Sequence, residues 1–122
     1  MIVAGFGFRA SASVGSLSDA LARASGGSAV DLLATADDKS TARSFQDFAT
    51  ASGIPAIGVT PDPIAVQLTP TRSPASLQAR RTGSLAEAAA LAAAGRNARL
   101  ITPRVISGDR LATCAIAIGE GP

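Results

Sequence analysis

The chain has 122 residues, enough for one core of a few helices and strands, and 47% of them are hydrophobic. It holds no His, Trp or Tyr and a single Cys. That inventory excludes a Ser-His-Asp triad, a Cys-His pair, a histidine-ligated metal site and a CxxC redox motif within the chain. Residues 1–62 carry four basic and six acidic side chains, whereas residues 63–122 carry seven and three.

All seven basic residues of the second half are arginines: Arg72, Arg80, Arg81, Arg96, Arg99, Arg104 and Arg110. The planar guanidinium fork suits carboxylates and phosphates, so these residues fit an acidic partner; they equally fit a composition in which arginine replaces lysine. Nucleic acid is not expected, because four Phe and no Tyr or Trp leave few platforms for base stacking. Met1–Phe8 is too short for a membrane span or signal peptide, and Ala88–Ala94 is bounded by Glu87 and Arg96. One cysteine allows no intrachain disulfide, which fits a reducing compartment. The expectation is a soluble cytoplasmic protein with no membrane segment, metal or cofactor.

In chain order, Ile2–Phe6 reads as a buried first strand, broken by the small-residue loop Gly7–Ser13. Ser16 opens a helix with Asp19 as its capping-box partner, and Gly26-Gly27 closes it. Ala29–Thr35 is the second strand. A helix capped by Ser40 or Thr41 then carries Phe45, Phe48 and Ala49 on one face and stops at Gly53. Pro55–Val59 is the third strand, and Thr60-Pro61 starts a helix reaching about Leu68. Thr69-Pro70-Thr71-Arg72 reads as a mobile loop, and Ser73-Pro74 starts another helix over Ala75–Arg81. Ser84-Leu85-Ala86-Glu87 is a capping box for a helix over Leu85–Ala94, ended by Gly95. Arg99–Thr102 and Leu111–Ile118 are strands joined as a hairpin, with Ser107-Gly108-Asp109 as its turn signal. These elements predict a single three-layer α/β/α domain over residues 1–122. Its small mixed sheet has about five strands and ends in an antiparallel hairpin.

Open α/β sheets bind ligands beyond the carboxyl ends of their strands. In the first such segment Gly5 and Gly7 would let a ligand approach the backbone, Arg9 supplies charge, and Ser11 and Ser13 add hydroxyls ahead of a helix N-terminus. The same residues also suit a glycine-rich turn with no ligand. They form neither a dinucleotide fingerprint nor a P-loop. The second segment places the only lysine, Lys39, beside Asp37 and Asp38. This group suits general acid–base work, substrate anchoring or simple solvated capping. Glu87 reads as the capping partner of Ser84, worth about 1 kcal/mol, and Cys114 as inert core.

Taken together, these segments resemble the cobalamin-biosynthesis CobE proteins and the C-terminal domain of CbiG. The resemblance rests on Gly5-Phe6-Gly7-Phe8-Arg9, on Ala36-Asp37-Asp38-Lys39 and on Gly53-Ile54-Pro55. It rests above all on Thr82–Leu91 followed by Leu100-Ile101-Thr102-Pro103-Arg104 and Ala112–Ala117. The chain departs from the family at Thr41-Ala42-Arg43, where an acidic residue is common. It departs again at Arg104, where lysine is usual; charge is kept there and a transferable proton is lost. The resemblance implies a protein of corrin-ring construction, acting as an accessory or carrier that binds a precorrin or cobalt-precorrin intermediate through Gly5, Gly7, Arg9, Ser11, Ser13, Lys39 and Arg104. It also leaves open a cobalt-precorrin-5A hydrolase-type enzyme that opens a lactone with Lys39 and Asp37 or Asp38, or a module docking on other enzymes of corrin synthesis.

Overall fold

The computed structural model describes residues 1–71 and 84–121. The helix expected over Ala75–Arg81, together with Arg72, Arg80 and Arg81, lies outside the described residues. The elements run β1 (Ile2–Phe8), α1 (Val14–Ser25), β2 (Leu32–Ala36), α2 (Asp37–Ser40), α3 (Arg43–Ser52), β3 (Ala56–Val59), α4 (Pro61–Ala65), α5 (Leu85–Ala94), β4 (Arg99–Ile106) and β5 (Ala112–Ile118). They form one five-stranded sheet in the order β3-β2-β1-β5-β4. β1, β2 and β3 are parallel, while β5 runs antiparallel to both β1 and β4. The expected α/β/α architecture with a terminal antiparallel hairpin is what the chain adopts.

The two faces of the sheet are packed by different chemistry. On one face α1 and α3 cover Ala4, Phe6, Phe8, Leu33, Cys114 and Ile116. All four phenylalanines sit here: Phe6 meets Phe45 and Phe48 edge-on, and Phe8 stacks on Phe45. On the other face α5 is buried on almost every side, as expected for a helix that is apolar all round. Its alanines lie directly on backbone. A methyl at Gly5 would stand 2.1 Å from the Ala86 carbonyl oxygen and 2.5 Å from the Ala90 nitrogen. One at Gly119 would stand 2.4 Å from the Ala94 carbonyl oxygen. Leu85 lies beside Gly7, so α5 runs antiparallel to β1, with its N-terminus at the carboxyl end of that strand.

Several boundaries differ from the sequence reading. β1 continues through Gly7 to Phe8, because all seven of its residues pair with β5. α1 starts at Val14, capped by Ser13, whose hydroxyl accepts from the Ser16 backbone N–H; Ser16 is its partner in a reciprocal Ser-Ser capping box. β2 begins only at Leu32, and the single turn α2 precedes α3, which has no side-chain cap. α4 ends at Ala65, short of the expected Leu68. β4 runs on past Pro103 to Ile106, and its pairing with β5 shifts register twice, between Leu100 and Thr102 and between Thr102 and Val105. Each shift inserts one extra residue into β4, which is a β-bulge. As expected, Cys114 is fully buried in an apolar strand, and burial pushes its thiol far above its ordinary value.

The β4–β5 turn is fastened to α1. The Asp109 carboxylate accepts from the hydroxyls of Ser107 at 2.6 Å and Ser16 at 2.5 Å and from the Leu111 N–H at 3.1 Å. Asp19 accepts from the Gly108 N–H at 2.7 Å and pairs with Arg23 at 2.8 Å. The left-handed residue of this turn is Arg110, at φ 63°, and not Gly108. The Ser107 and Ser16 hydroxyls hold Asp109 below the usual carboxylate range, and the Gly108 N–H does the same for Asp19.

Two predictions follow from this packing. Gly5→Ala should destabilise the fold by about 3 kcal/mol, the upper end for overpacking, because the neighbouring atoms are backbone. Gly15→Ala, in the exposed first turn of α1, should be neutral or slightly stabilising. Urea unfolding followed by circular dichroism checks both, and equal midpoints for Gly5→Ala and wild type would refute the close approach. Because the folded values of Asp19 and Asp109 lie below their ordinary 3.8, the unfolded chain binds more protons as pH falls past that point. Their stabilisation should therefore be complete above about pH 5 and lost on further acidification. Asp109→Asn should flatten this acid limb in thermal melts recorded between about pH 5 and pH 2.5.

Candidate functional site

The strand directions bring several predicted residues to one edge of the sheet. β4 is antiparallel to β5, which is antiparallel to β1, so β4 ends on the same side as β1, β2 and β3. The N-terminal ends of α1, α4 and α5 meet there as well. The first turn of α5 is buried and holds its own carboxylate, and α4 opens with Pro61 and Pro63, which have no N–H. The exposed N-terminus of α1 is therefore the one that offers partial positive charge to an anion at this edge. Arg9, Ser11 and Ser13 occupy the connection from β1 to α1 and are all exposed. Asp37, Asp38 and Lys39 follow β2. Arg104 sits two strands from β1, close to the end of β4; at about 4.8 Å per strand, the edge spans roughly 15 Å from β2 to β4.

The two glycines have a structural explanation in this arrangement. The space above Gly5 is filled by α5, and a methyl at Gly7 would stand 2.9 Å from the Thr113 hydroxyl. Both glycines serve strand and helix packing.

Lys39 is tied to the end of β1. The paired register between β1 and β2 runs only from Val3 to Gly5. Beyond it, side chains take over the β1 carbonyl groups that face β2. The Thr35 hydroxyl donates to Phe6 at 2.8 Å and the Lys39 ammonium to Phe8 at 2.7 Å, while on the β5 side the Thr113 hydroxyl adds a bond to Gly7 at 3.2 Å. The Lys39 Nζ also lies 4.9 Å from the centre of the Phe8 ring, within cation–π range. Asp37 belongs to the turn α2, whose backbone packs on β3: a methyl at Gly58 would stand 2.7 Å from the Asp37 Cα. Asp37 and Asp38 are both exposed in the first turn of α2.

Glu87 is the residue whose sequence reading fell furthest short. Ser84 does accept from the Glu87 N–H, at 3.3 Å, so half of the capping box forms. The carboxylate, however, turns away from Ser84 into the interior, where Glu87 is 0% exposed. It accepts from the N–H and the hydroxyl of Thr71 and from the N–H of Arg104, each at 2.9 Å. A buried carboxylate costs several kcal/mol unless donors surround it, and three do. Thr71, expected in a loose loop, is thereby fixed to the start of α5. The one sequence signal was a lone acidic residue inside an alanine-leucine helix.

Away from this edge, a cleft of about 460 Å³ opens beside Val66, Leu68, Leu91, Arg99 and Leu100. Among the described residues lining it are none of the predicted site residues, and one, Arg99, is charged. No helix among the described residues is long and apolar enough to cross a membrane.

Comparison with known proteins places this architecture. The family model described as "Cobalamin synthesis G C-terminus" matches residues 2–117. Among solved structures, the chain is similar to CobE, a protein from the cobalamin (vitamin B12) biosynthetic pathway. There the TM-score is 0.84 and the identity 29%, over 96% of this chain and 89% of that one. It is similar to the cobalamin biosynthesis protein chiG from Agrobacterium tumefaciens, with a TM-score of 0.76 and 31% identity over 98% and 99% of the two chains. A cobalamin biosynthesis protein G homolog from Sulfolobus solfataricus shares the fold, with a TM-score of 0.71 and 21% identity, over 98% of this chain and 37% of that longer one. No curated protein matches. The chain belongs to the CobE/CbiG family of cobalamin-biosynthesis proteins.

Proposed function

We propose that this protein binds a precorrin or cobalt-precorrin intermediate at the carboxyl edge of its sheet and acts as an accessory or carrier. The observation that carries this reading is the meeting of Arg9, Lys39, Arg104 and the exposed N-terminus of α1 along one edge about as broad as a tetrapyrrole. Corrin intermediates carry several acetate and propionate carboxylates. Such a ligand needs a row of separated cations, which Arg9, Lys39 and Arg104 supply along the edge. Arg9, Ser11, Ser13 and Arg104 are the residues assigned to carboxylate contact, with Lys39 adding charge at the end of β1. Gly5 and Gly7 serve the site indirectly, by letting α5 and β5 close on β1. Binding fits better than lactone hydrolysis, because the Lys39 ammonium is committed to the Phe8 carbonyl and ring.

The test is a visible-absorbance titration with cobyrinic acid, a corrin whose acetates and propionates are free carboxylates. A chain without Trp or Tyr also adds almost no near-ultraviolet absorbance, so the corrin bands there can be followed as well. Wild type should shift the corrin spectrum saturably, and cobinamide, whose corresponding groups are amides, should bind far more weakly. Arg9→Ala and Arg104→Ala should each weaken cobyrinic acid binding about tenfold, the value of one charge-assisted hydrogen bond. Arg96→Ala, at the opposite edge, should leave it unchanged. Equal binding of both corrins, or no binding of either, would overturn the reading.

A further inference from the structure

We propose that Glu87 is a positioning residue, whose buried carboxylate pins the second bulge of β4 and so sets the face on which Arg104 is presented to an anionic ligand. The inference rests on the binding role just assigned to Arg104. Capping of α5 does not explain Glu87, since the Ser84 hydroxyl caps the helix without the carboxylate. Nor does core packing, because every other buried residue of α5 is Ala or Leu. What the carboxylate does is join three parts of the chain: the start of α5, Thr71, and the N–H of Arg104.

The geometry of β4 gives this link its consequence. Between Thr102 and Val105 the ladder advances three residues on β4 against two on β5. Pro103 has no N–H to donate, and the Arg104 N–H goes to Glu87 Oε2. Side chains alternate along a strand, so gain or loss of one residue reverses the face on which the following side chains stand. By taking the Arg104 N–H, Glu87 holds the bulge at this position and fixes the direction of the Arg104 side chain. The Thr71 hydroxyl shares the same oxygen, Oε2, and fixes the carboxylate in turn.

A double-mutant cycle tests this with cobyrinic acid as the probe. Glu87→Gln keeps the size of the side chain but replaces one acceptor oxygen with a donor. It should weaken binding about tenfold in the wild-type background and less than about twofold in the Arg104→Ala background, because its effect passes through Arg104. Equal losses in both backgrounds would overturn the proposal and leave Glu87 a purely structural residue. Unchanged binding in Arg104→Ala alone would instead remove the binding role of Arg104, a separate failure. If Glu87→Gln does not fold, Thr71→Val replaces it in the same cycle. That variant removes only the hydroxyl donor to Oε2, and it should show the same dependence on Arg104 at a smaller amplitude, whereas additive losses would again overturn the proposal.

Discussion

The arrangement depends on one close approach, the seating of α5 on the backbone of β1. With no side chain at Gly5, and another glycine at position 119, the alanine helix sits closer to the sheet than any larger residue would allow. The consequences reach well beyond packing. The approach fixes the axial position of α5, which brings its first turn level with the last residues of β1. That in turn places Glu87 within reach of both Thr71 and the bulged part of β4. Packing that uses such small side chains gains little hydrophobic area per residue, and the opposite face compensates with all four phenylalanines.

A second constraint acts at the same edge. The parallel pairing of β1 with β2 stops at Gly5, leaving the carbonyls of Phe6 and Phe8, which face β2, to be satisfied by Thr35 and Lys39. Buried backbone acceptors without partners are costly, so these two side chains are part of the fold as well as neighbours of the site. Lys39 thus combines two roles: its hydrogen bond closes the end of β1, and its charge remains at the edge where an anion would lie. This dual use suits a protein that holds a ligand, since an ammonium engaged in the scaffold is a poor proton shuttle.

Much of this was legible in the chain, for identifiable reasons. The Ser84 cap, the glycine stops at Gly26 and Gly53 and the phenylalanine spacing of α3 are local signals, and each marked a real element. Misreadings arose where a residue answers to a distant partner. Gly7 looked like a strand breaker, but β5 pairs across it. Ser16 looked like the cap of α1, yet it reaches Asp109 while Ser13 does the capping. Pro103 looked like the end of β4, yet a bulge carries the strand past it to Ile106. Glu87 matched the local capping pattern so well that its long-range link to Arg104 had no separate signature. The sequence placed the segments after β1 and β2 at the carboxyl edge of the sheet, where they lie, and had no signal for what Gly5, Gly7 and Lys39 touch.

The central claim is that the anionic ligand lies on the edge formed by the carboxyl ends of β1, β2 and β4. The direct measurement is nitrogen-15 amide shift mapping of the wild-type protein during titration with cobyrinic acid. The account predicts shifts concentrated in Arg9–Ser16, Asp37–Ser40 and Arg104–Leu111. Shifts concentrated instead at Gly27–Val30 and Gly95–Ala98, on the opposite edge, or around Val66–Leu68 and Leu91 in the cleft, would contradict it.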